Sequence, residues 1–286
     1  MRKAASIPFW AGVAAWSAIG AARSSQAALL GAPEHGQMGF LPANSPIAGD
    51  IQWLHNSILL PVTVGISLLV LVLLGYVVFR FNENSHPVAS RTTHNGPLEI
   101  AWTVLPVLVL VIIAVPSFRL LTQQLVIPEP DLTIKVTASQ WHWNYTYPKT
   151  AGGFSYDSLI KEGKDLKPGD IRLLSVDNAA YVPVGKVVEV DVVSQDVIHS
   201  FSVPSFGVKI DAVPGRLNKS WFKPEQEGVF YGQCSNICGI DHAFMPIEFH
   251  VVSQQAYDDW LVQAKKSFAS AGGVDVAAAP LNASHP

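Results

Sequence analysis

The sequence at residues 58–78 is ILLPVTVGISLLVLVLLGYVV and contains no charged side chain. A helix of this length crosses the hydrocarbon core of a bilayer, which is about 30 Å thick. A second uncharged run, IAWTVLPVLVLVIIAVPSF, occupies residues 100–118. Prolines inside both runs are compatible with spanning helices, because neighbouring helices satisfy the backbone groups that proline frees. The two runs predict a transmembrane helical hairpin over residues 53–122.

The N-terminal residues 1–27 have the features of a secretory signal peptide. A charged start precedes an apolar centre at residues 9–22 and a small-residue cleavage site at 25–27. We therefore expect residues 28–52 to lie outside the cytoplasm, the loop of the hairpin to be cytoplasmic, and everything after the hairpin to be periplasmic. An uncleaved anchor is the alternative interpretation of residues 1–27.

After the hairpin the pattern changes to short runs of β-forming residues, separated by turns rich in Pro, Gly and Asn. This pattern is typical of a sandwich or barrel. The runs lie at residues 132–147, 171–176, 187–193, 199–203, 208–213, 220–222, 229–233 and 247–252. Ser253 is a suitable cap for a last helix at 254–268, so residues 123–268 are predicted to form one β domain. The Ala- and Gly-rich residues 269–286 are predicted to be disordered.

Composition excludes several classes of protein. Only 14% of the 286 residues are charged, and the mean hydropathy is +0.27. Both values argue against a disordered chain and against an ordinary cytosolic enzyme. Residues 128–262 contain 17 Asp and Glu against 11 Lys and Arg. Such an acidic surface disfavours nucleic acid and favours cationic partners.

One short segment between two predicted strands contains most of the metal-binding chemistry. It is Cys234-Ser-Asn-Ile-Cys238-Gly-Ile-Asp-His242-Ala-Phe-Met245, and His199 begins another predicted strand. Two thiolates, two imidazoles and a thioether form a soft donor set that favours copper. A mononuclear blue-copper site needs one Cys, so the second thiolate suggests two copper ions if both sulfurs bridge.

The simpler interpretation of two cysteines four residues apart in an exported domain is a structural disulfide or a redox-active pair. Taken alone, the cysteines do not separate these readings from metal binding. His242, Met245 and His199 shift the balance toward a metal, because a disulfide needs none of them.

These residues, together with the aromatic string Gln140-Trp-His-Trp-Asn-Tyr145 and the segments Asp196-Val-Ile-His199 and Lys209-Ile-Asp-Ala-Val-Pro-Gly-Arg216, resemble subunit II of bacterial haem-copper cytochrome c oxidases. The resemblance extends from about Trp53 to Trp260. It implies a cupredoxin-like β domain, periplasmic in the bacterial inner membrane. It also implies partnership with subunits I and III and transfer of electrons from cytochrome c to haem and copper in subunit I, coupled to proton pumping.

Carried over by position, the resemblance implies a dinuclear copper A centre. Its ligands would be the side chains of His199, Cys234, Cys238, His242 and Met245 and the backbone carbonyl of Asn236. The resemblance also implies that Trp141 receives the electron from cytochrome c. Without the resemblance, an aromatic side chain on a sheet face would be the simpler interpretation of Trp141.

Three acidic residues are candidates for further roles. Glu99 matches the acid at the cytoplasmic mouth of the K proton pathway of the family, although an acid in a first helical turn is also favoured by the helix dipole. Asp196 and Asp177 are candidates for docking a lysine-rich cytochrome c.

The sequence departs from the family pattern at Asn236, where the family usually has Glu. Any residue supplies a backbone carbonyl, so the copper site is not affected. An amide side chain lacks the charge that hard cations prefer, which puts the magnesium or manganese ion at the contact with subunit I in doubt.

Two other functions are alternatives. A membrane-tethered copper chaperone would not need His242 or Met245 and would show a thioredoxin-like alternation of strands and helices. A quinol-oxidase subunit II would keep the β domain and lack the thiolates and histidines. The complete donor set and the all-β pattern favour the cytochrome c oxidase subunit.

Overall fold

The computed structural model describes residues 31–88 and 90–268; the predicted signal peptide and the predicted disordered tail lie outside the described residues. Within these residues the chain forms four α-helices: α1 (Pro46–Leu54), α2 (Leu60–Arg80), α3 (Gly96–Leu125) and α4 (Gln254–Phe268). A short π-helical turn, His55–Leu59, joins α1 to α2. The continuous helical stretch Pro46–Arg80 and helix α3 are both long and apolar enough to span a membrane. The predicted hairpin is therefore confirmed, with each helix extending beyond its apolar run.

Ten strands follow the hairpin in the described part of the chain. They are β1 (Leu132–Ser139), β2 (His142–Thr146), β3 (Ser155–Ser158), β4 (Ala180–Pro183), β5 (Val188–Ser194), β6 (His199–Val203), β7 (Val208–Ala212), β8 (Asn218–Phe222), β9 (Gly228–Cys234) and β10 (Pro246–Val252). One sheet has the order β3-β2-β1-β5-β8, and the other has the order β4-β10-β9-β6-β7. The pairs β1–β5 and β4–β10 are parallel, and the remaining pairs are antiparallel.

The two sheets pack face to face through large aromatic side chains. Phe249 of β10 lies edge-on to Tyr145 of β2 and Phe222 of β8, with ring centroids 6.0 and 5.6 Å apart. Trp143 of β2 meets Phe201 of β6 at 5.4 Å, also edge-on. Edge-to-face pairs of this kind are favoured by the ring quadrupoles in addition to the area they bury. The predicted sandwich with a cupredoxin-like form is confirmed.

Helix α4 has the bounds that the sequence predicts. The Ser253 side chain accepts a hydrogen bond from the Ala256 amide at 3.3 Å, as an N-cap should. Trp260 stacks on Tyr181 of β4 and contacts Tyr147, with ring centroids 4.7 and 5.2 Å apart. The apolar face of α4 therefore closes one side of the sandwich.

Two of the predicted strands are wrong. The run at 132–147 is divided by a turn at residues 140–141 into β1 and β2. Residues 171–175 form a turn, because the amides of Leu174 and Ser175 both bond back to the Ile171 carbonyl, and Val176 forms an isolated bridge with Ile160. Leu173 there has a φ of 69°, which lies in the left-handed region and outside the β region. The prediction also missed two short strands, β3 and β4.

A buried polar contact joins the start of the helical region to the β domain. Asn44 donates from Nδ2 to the Gln226 carbonyl at 3.1 Å and accepts from the Gln226 amide at 2.8 Å. Next to it, the Ser45 hydroxyl donates to the Phe206 carbonyl at 2.7 Å and accepts from the Ala48 amide, which caps α1. Asn44 and Ser45 together therefore fix the first turn of α1 against the β domain.

We predict that Asn44→Ala destabilises the β domain, because the buried Asn44 amide bonds both backbone polar groups of Gln226 in a partly buried contact. Losing a typical intramolecular hydrogen bond costs about 0.5–1.5 kcal/mol. The measurement is the thermal unfolding midpoint of the full chain in detergent. Asn178→Ala is the control, since the single side-chain hydrogen bond of Asn178, to the Asp157 carbonyl, is exposed. Equal midpoints for the two variants would contradict the prediction.

Candidate metal centre

Three neighbouring strands bring the soft donors to one end of the sandwich. His199 is the first residue of β6, Cys234 is the last residue of β9, and these strands pair so that Phe201 lies opposite Cys234. Strands β9 and β10 form an antiparallel pair, so the loop that joins them must begin and end at this edge. A hydrogen bond of 3.0 Å from the Ser235 amide to the Ser200 carbonyl holds the start of this loop beside β6. We call residues 235–245 the metal loop.

Each cysteine sulfur has one imidazole and one weaker donor beside it. Cys234 Sγ lies 4.0 Å from His199 Nδ1 and 3.3 Å from the Asn236 carbonyl oxygen. Cys238 Sγ lies 3.5 Å from His242 Nδ1 and 3.6 Å from Met245 Sδ. The two sulfurs are 3.9 Å apart. The structure thus brings together every donor that the sequence predicts. The donors form two similar groups, each around one cysteine sulfur, and the two sulfurs are neighbours.

The cysteines are not bonded to each other. A disulfide has an S–S length of about 2.05 Å, and both thiols here are free. The ligand atoms of His199, Cys234 and Cys238 all lie within 4.8 Å of one another. The three residues are buried, and Met245 is only 1% exposed. A compact and dry set of sulfur and imidazole donors fits copper, which prefers soft ligands.

The two thiols are electrostatically unequal. Burial raises the pKa of Cys234, but hydrogen bonds with His199 and with the backbone of Ser200 outweigh it and lower that pKa to about 6. Burial and the neighbouring charge of Cys234 raise the pKa of Cys238 to about 12. Two negative charges this close repel each other, so the protein alone favours one thiolate. A bound cation is what would stabilise both.

Asp196 orients one of the imidazoles. Its Oδ1 lies 2.9 Å from His199 Nε2, so the other ring nitrogen, Nδ1, faces Cys234. Burial lowers the pKa of His199, but hydrogen bonds to Cys234 and Asp196 outweigh it and leave that pKa raised. A carboxylate that fixes the far nitrogen of a ligating histidine is a common outer-shell arrangement in metal sites. This role was not predicted from the sequence, although Asp196 lies three positions before His199.

Two tryptophans lie beside the metal loop. Trp143 is wholly buried and donates from Nε1 to the Met245 carbonyl at 3.0 Å, which fixes the backbone at the end of the loop. Trp141 is half-buried, and its indole lies against Gly239 and beside Cys238. Gly239 has a φ of +134°, and a Cβ there would lie 2.9 Å from Trp141 Cζ2. Glycine is therefore required for the indole to lie this close to the loop.

The other predicted site residues lie apart from the donor cluster. Asp177 is exposed in the segment before β4, where it accepts hydrogen bonds from the amides of Leu159 and Asn178 at 2.8 and 2.7 Å. Glu99 lies in the first turn of α3, and its Oε1 accepts from the Asn95 amide at 3.0 Å. Asn95 in turn accepts from the Leu98 amide, so Glu99 takes part in a helix cap. A proton-transfer role for Glu99 and a docking role for Asp177 stay predictions.

Known proteins resemble this chain in both its helical hairpin and its β domain. The family model described as "Cytochrome C oxidase subunit II, periplasmic domain" matches residues 132–252, and the one described as "Cytochrome C oxidase subunit II, transmembrane domain" matches residues 33–120. A protein of Rickettsia felis named probable cytochrome c oxidase subunit 2 is 48% identical over 231 residues, which are 81% of this chain and 73% of that protein. Cytochrome c oxidase subunit 2 of Cereibacter sphaeroides is 46% identical over 261 residues, covering 86% of each chain.

A solved structure is also similar. The crystal structure of the periplasmic domain of subunit II of cytochrome oxidase from Bradyrhizobium japonicum is 54% identical, with a TM-score of 0.47. The match covers 50% of this chain and 99% of that one.

Proposed function

This chain belongs to the cytochrome c oxidase subunit II family, a component of a haem-copper oxidase, and from that premise we propose that its metal loop holds a dinuclear copper A centre. In this proposal the centre takes electrons from cytochrome c and passes them to haem and copper in subunit I, where oxygen is reduced and protons are pumped. The two helices anchor the chain in the membrane. We place the β domain on the periplasmic side of the bacterial inner membrane, next to subunits I and III.

The observation that carries the proposal is the doubling of the donor set. A mononuclear copper site uses one thiolate, two imidazoles and one weak axial donor. Here each of two thiols has its own imidazole and its own weak donor, all within 4.0 Å. His199, Cys234 and the Asn236 carbonyl form one half, and His242, Cys238 and Met245 form the other.

Bound copper would supply a one-electron redox couple. The rigidity and burial of the protein donors would determine how readily the site gains and loses an electron. The donors come from strand ends and from a loop that is tied to β6 and to Trp143, so they have little freedom to move when the charge changes. Burial of Cys234, Cys238 and Met245 keeps water and substrate away from the three sulfur donors. A rigid and dry site of this kind suits electron transfer and does not suit binding of a substrate.

Neither alternative function agrees with this chain. A thioredoxin-like chaperone would alternate strands and helices, whereas residues 132–252 form a β sandwich that matches the periplasmic domain of the family. A quinol-oxidase subunit would lack the thiols, which are present and free. The acidic surface supports a cationic partner such as a lysine-rich cytochrome c, with Asp177 among the docking candidates.

The test of the proposal is the number of copper ions. We expect the full chain, purified in detergent and loaded with copper, to hold two ions and to give a mixed-valence spectrum. Cys238→Ser should abolish that spectrum, because both cysteine sulfurs are needed to hold two copper ions together. Ser235→Ala in the same loop is the control and should keep both ions. One copper per chain with a four-line EPR pattern would refute the dinuclear centre.

We propose further that Trp141 receives the electron from cytochrome c, because its half-buried indole lies against the metal loop. Trp141→Phe should slow electron transfer into the copper severely and leave the copper content and the KM for cytochrome c nearly unchanged. The measurement is the single-turnover rate in the oxidase complex. Trp53→Phe is the control, since Trp53 is 57% exposed on α1. Unchanged transfer in Trp141→Phe would assign the indole to packing alone.

The side chain of Asn236 bears on a second metal. The backbone carbonyl oxygen of Asn236 lies 3.3 Å from Cys234 Sγ. Its side-chain amide stands where the family usually has a carboxylate, the group that a magnesium or manganese ion prefers. In cells grown with manganese, we expect Asn236→Glu to gain bound manganese, measured by EPR, with an unchanged copper spectrum. Asn178→Asp, which adds a carboxylate away from the metal loop, is the control. Equal and stoichiometric manganese in wild type and Asn236→Glu would contradict this prediction.

A further inference from the structure

The turn between β1 and β2 is hydrogen-bonded to both segments that carry the cysteine and histidine donors. The backbone amide of Gln140 donates to Asp196 Oδ2 at 2.6 Å. The Gln140 side chain donates from Nε2 to the Cys238 carbonyl at 2.8 Å. These contacts join residues that are 56 and 98 positions apart in the sequence. One residue therefore connects this turn to the segment before β6 and to the middle of the metal loop.

Asp196 continues the connection to a donor of the metal site. Its two oxygens have different partners. Oδ2 accepts from the Gln140 backbone amide, and Oδ1 lies 2.9 Å from His199 Nε2. The Val197 amide and the Ser194 hydroxyl also donate to Oδ1, at 2.7 and 3.2 Å, so the carboxylate is held from several directions. We call Gln140 and Asp196 with these hydrogen bonds the Gln140–Asp196 bracket.

The indole of Trp141 lies next to the bracket. Trp141 follows Gln140 directly, and its ring lies against Gly239, the residue after Cys238. The Gln140 side chain approaches the same glycine, since a Cβ at Gly239 would lie 3.1 Å from Gln140 Nε2. The side-chain amide of Gln140 and the indole of Trp141 therefore lie side by side against the metal loop.

We propose that Gln140 is a positioning residue for electron transfer: through its bonds to Cys238 and Asp196 it fixes the separation between Trp141 and the metal loop. This inference rests on the proposed role of Trp141. Electron transfer through a gap weakens steeply as the gap widens, so a loose turn would slow the transfer while the copper ligands stay in place. Losing an outer-shell hydrogen bond typically costs about 10- to 100-fold in affinity or activity.

The experiment removes only the side-chain bond of Gln140. Gln140→Met keeps the length of the side chain and the backbone bond to Asp196, but it has no N–H to offer to Cys238. Gln195→Met is the matched control, because Gln195 is exposed, lies beside Asp196 in the chain, and its side chain accepts a single 3.4 Å hydrogen bond within the described residues, from the Ser139 hydroxyl. Both variants are studied in the complete oxidase complex.

In Gln140→Met we expect the single-turnover rate from cytochrome c to copper to fall about 10-fold or more. KM, copper content and the copper EPR spectrum should match wild type. Amide hydrogen exchange in residues 235–241 should become roughly fivefold faster, as the loss of one hydrogen bond allows. Gln195→Met should resemble wild type in every measurement.

A second variant moves the indole from the other side. Gly239→Ala places a methyl group against Trp141, whereas Gly169→Ala, also at a positive φ, has no neighbour within 4 Å. We expect Gly239→Ala to reproduce the slow transfer, and Gly169→Ala to leave it unchanged.

Three results would overturn the inference: wild-type transfer in Gln140→Met, unchanged exchange in residues 235–241, or a loss of copper that accounts for the slower rate. Absence of copper from the wild-type complex would instead refute the proposed function. The exchange measurement would then still decide whether Gln140 holds the loop.

Discussion

Two cysteine sulfurs lie 3.9 Å apart in a buried place, too far apart for a covalent bond and too close for two thiolates without a cation. The opposite pKa shifts of Cys234 and Cys238 express this conflict, since only one of the two charges is stabilised by the protein's own groups. Most of the other features of the site follow from it. The imidazoles, the thioether and the carbonyl surround the pair, and the sandwich keeps water away from it.

The sandwich meets this requirement through its strand order. Placing β9 between β6 and β10 brings the first residue of one strand and the last residue of another to the same edge. The other sheet contributes Trp143, whose indole supports the Met245 backbone from the core side. At the membrane side, Asn44 and Ser45 hold α1 against the β domain. The position of the metal loop relative to the membrane helices therefore depends on buried hydrogen bonds in addition to the linking chain.

Sequence patterns identified the elements with long periodic signals and the donors that lie close together in the chain. The apolar helices, α4 and most strands are of this kind, as are the four donor side chains between Cys234 and Met245. The pattern failed at residues 171–176, where apolar composition favours a strand but Ser175 completes a turn by accepting from the Ile171 amide. It could not find the Gln140–Asp196 bracket, because tertiary contacts across 56 and 98 positions have no local signature.

Asp196 illustrates how the structure changes the meaning of a charge that the sequence counts as surface. Partial burial opposes ionisation, yet hydrogen bonds from His199, Gln140 and Val197 outweigh it and lower the pKa of Asp196. The charge therefore persists, but its oxygens are already used by groups of the same domain. Charges at the rim of an interface mainly change the rate of association. Asp196 is therefore bonded into the geometry of the metal site, while docking roles for the exposed Asp196 and Asp177 stay predictions.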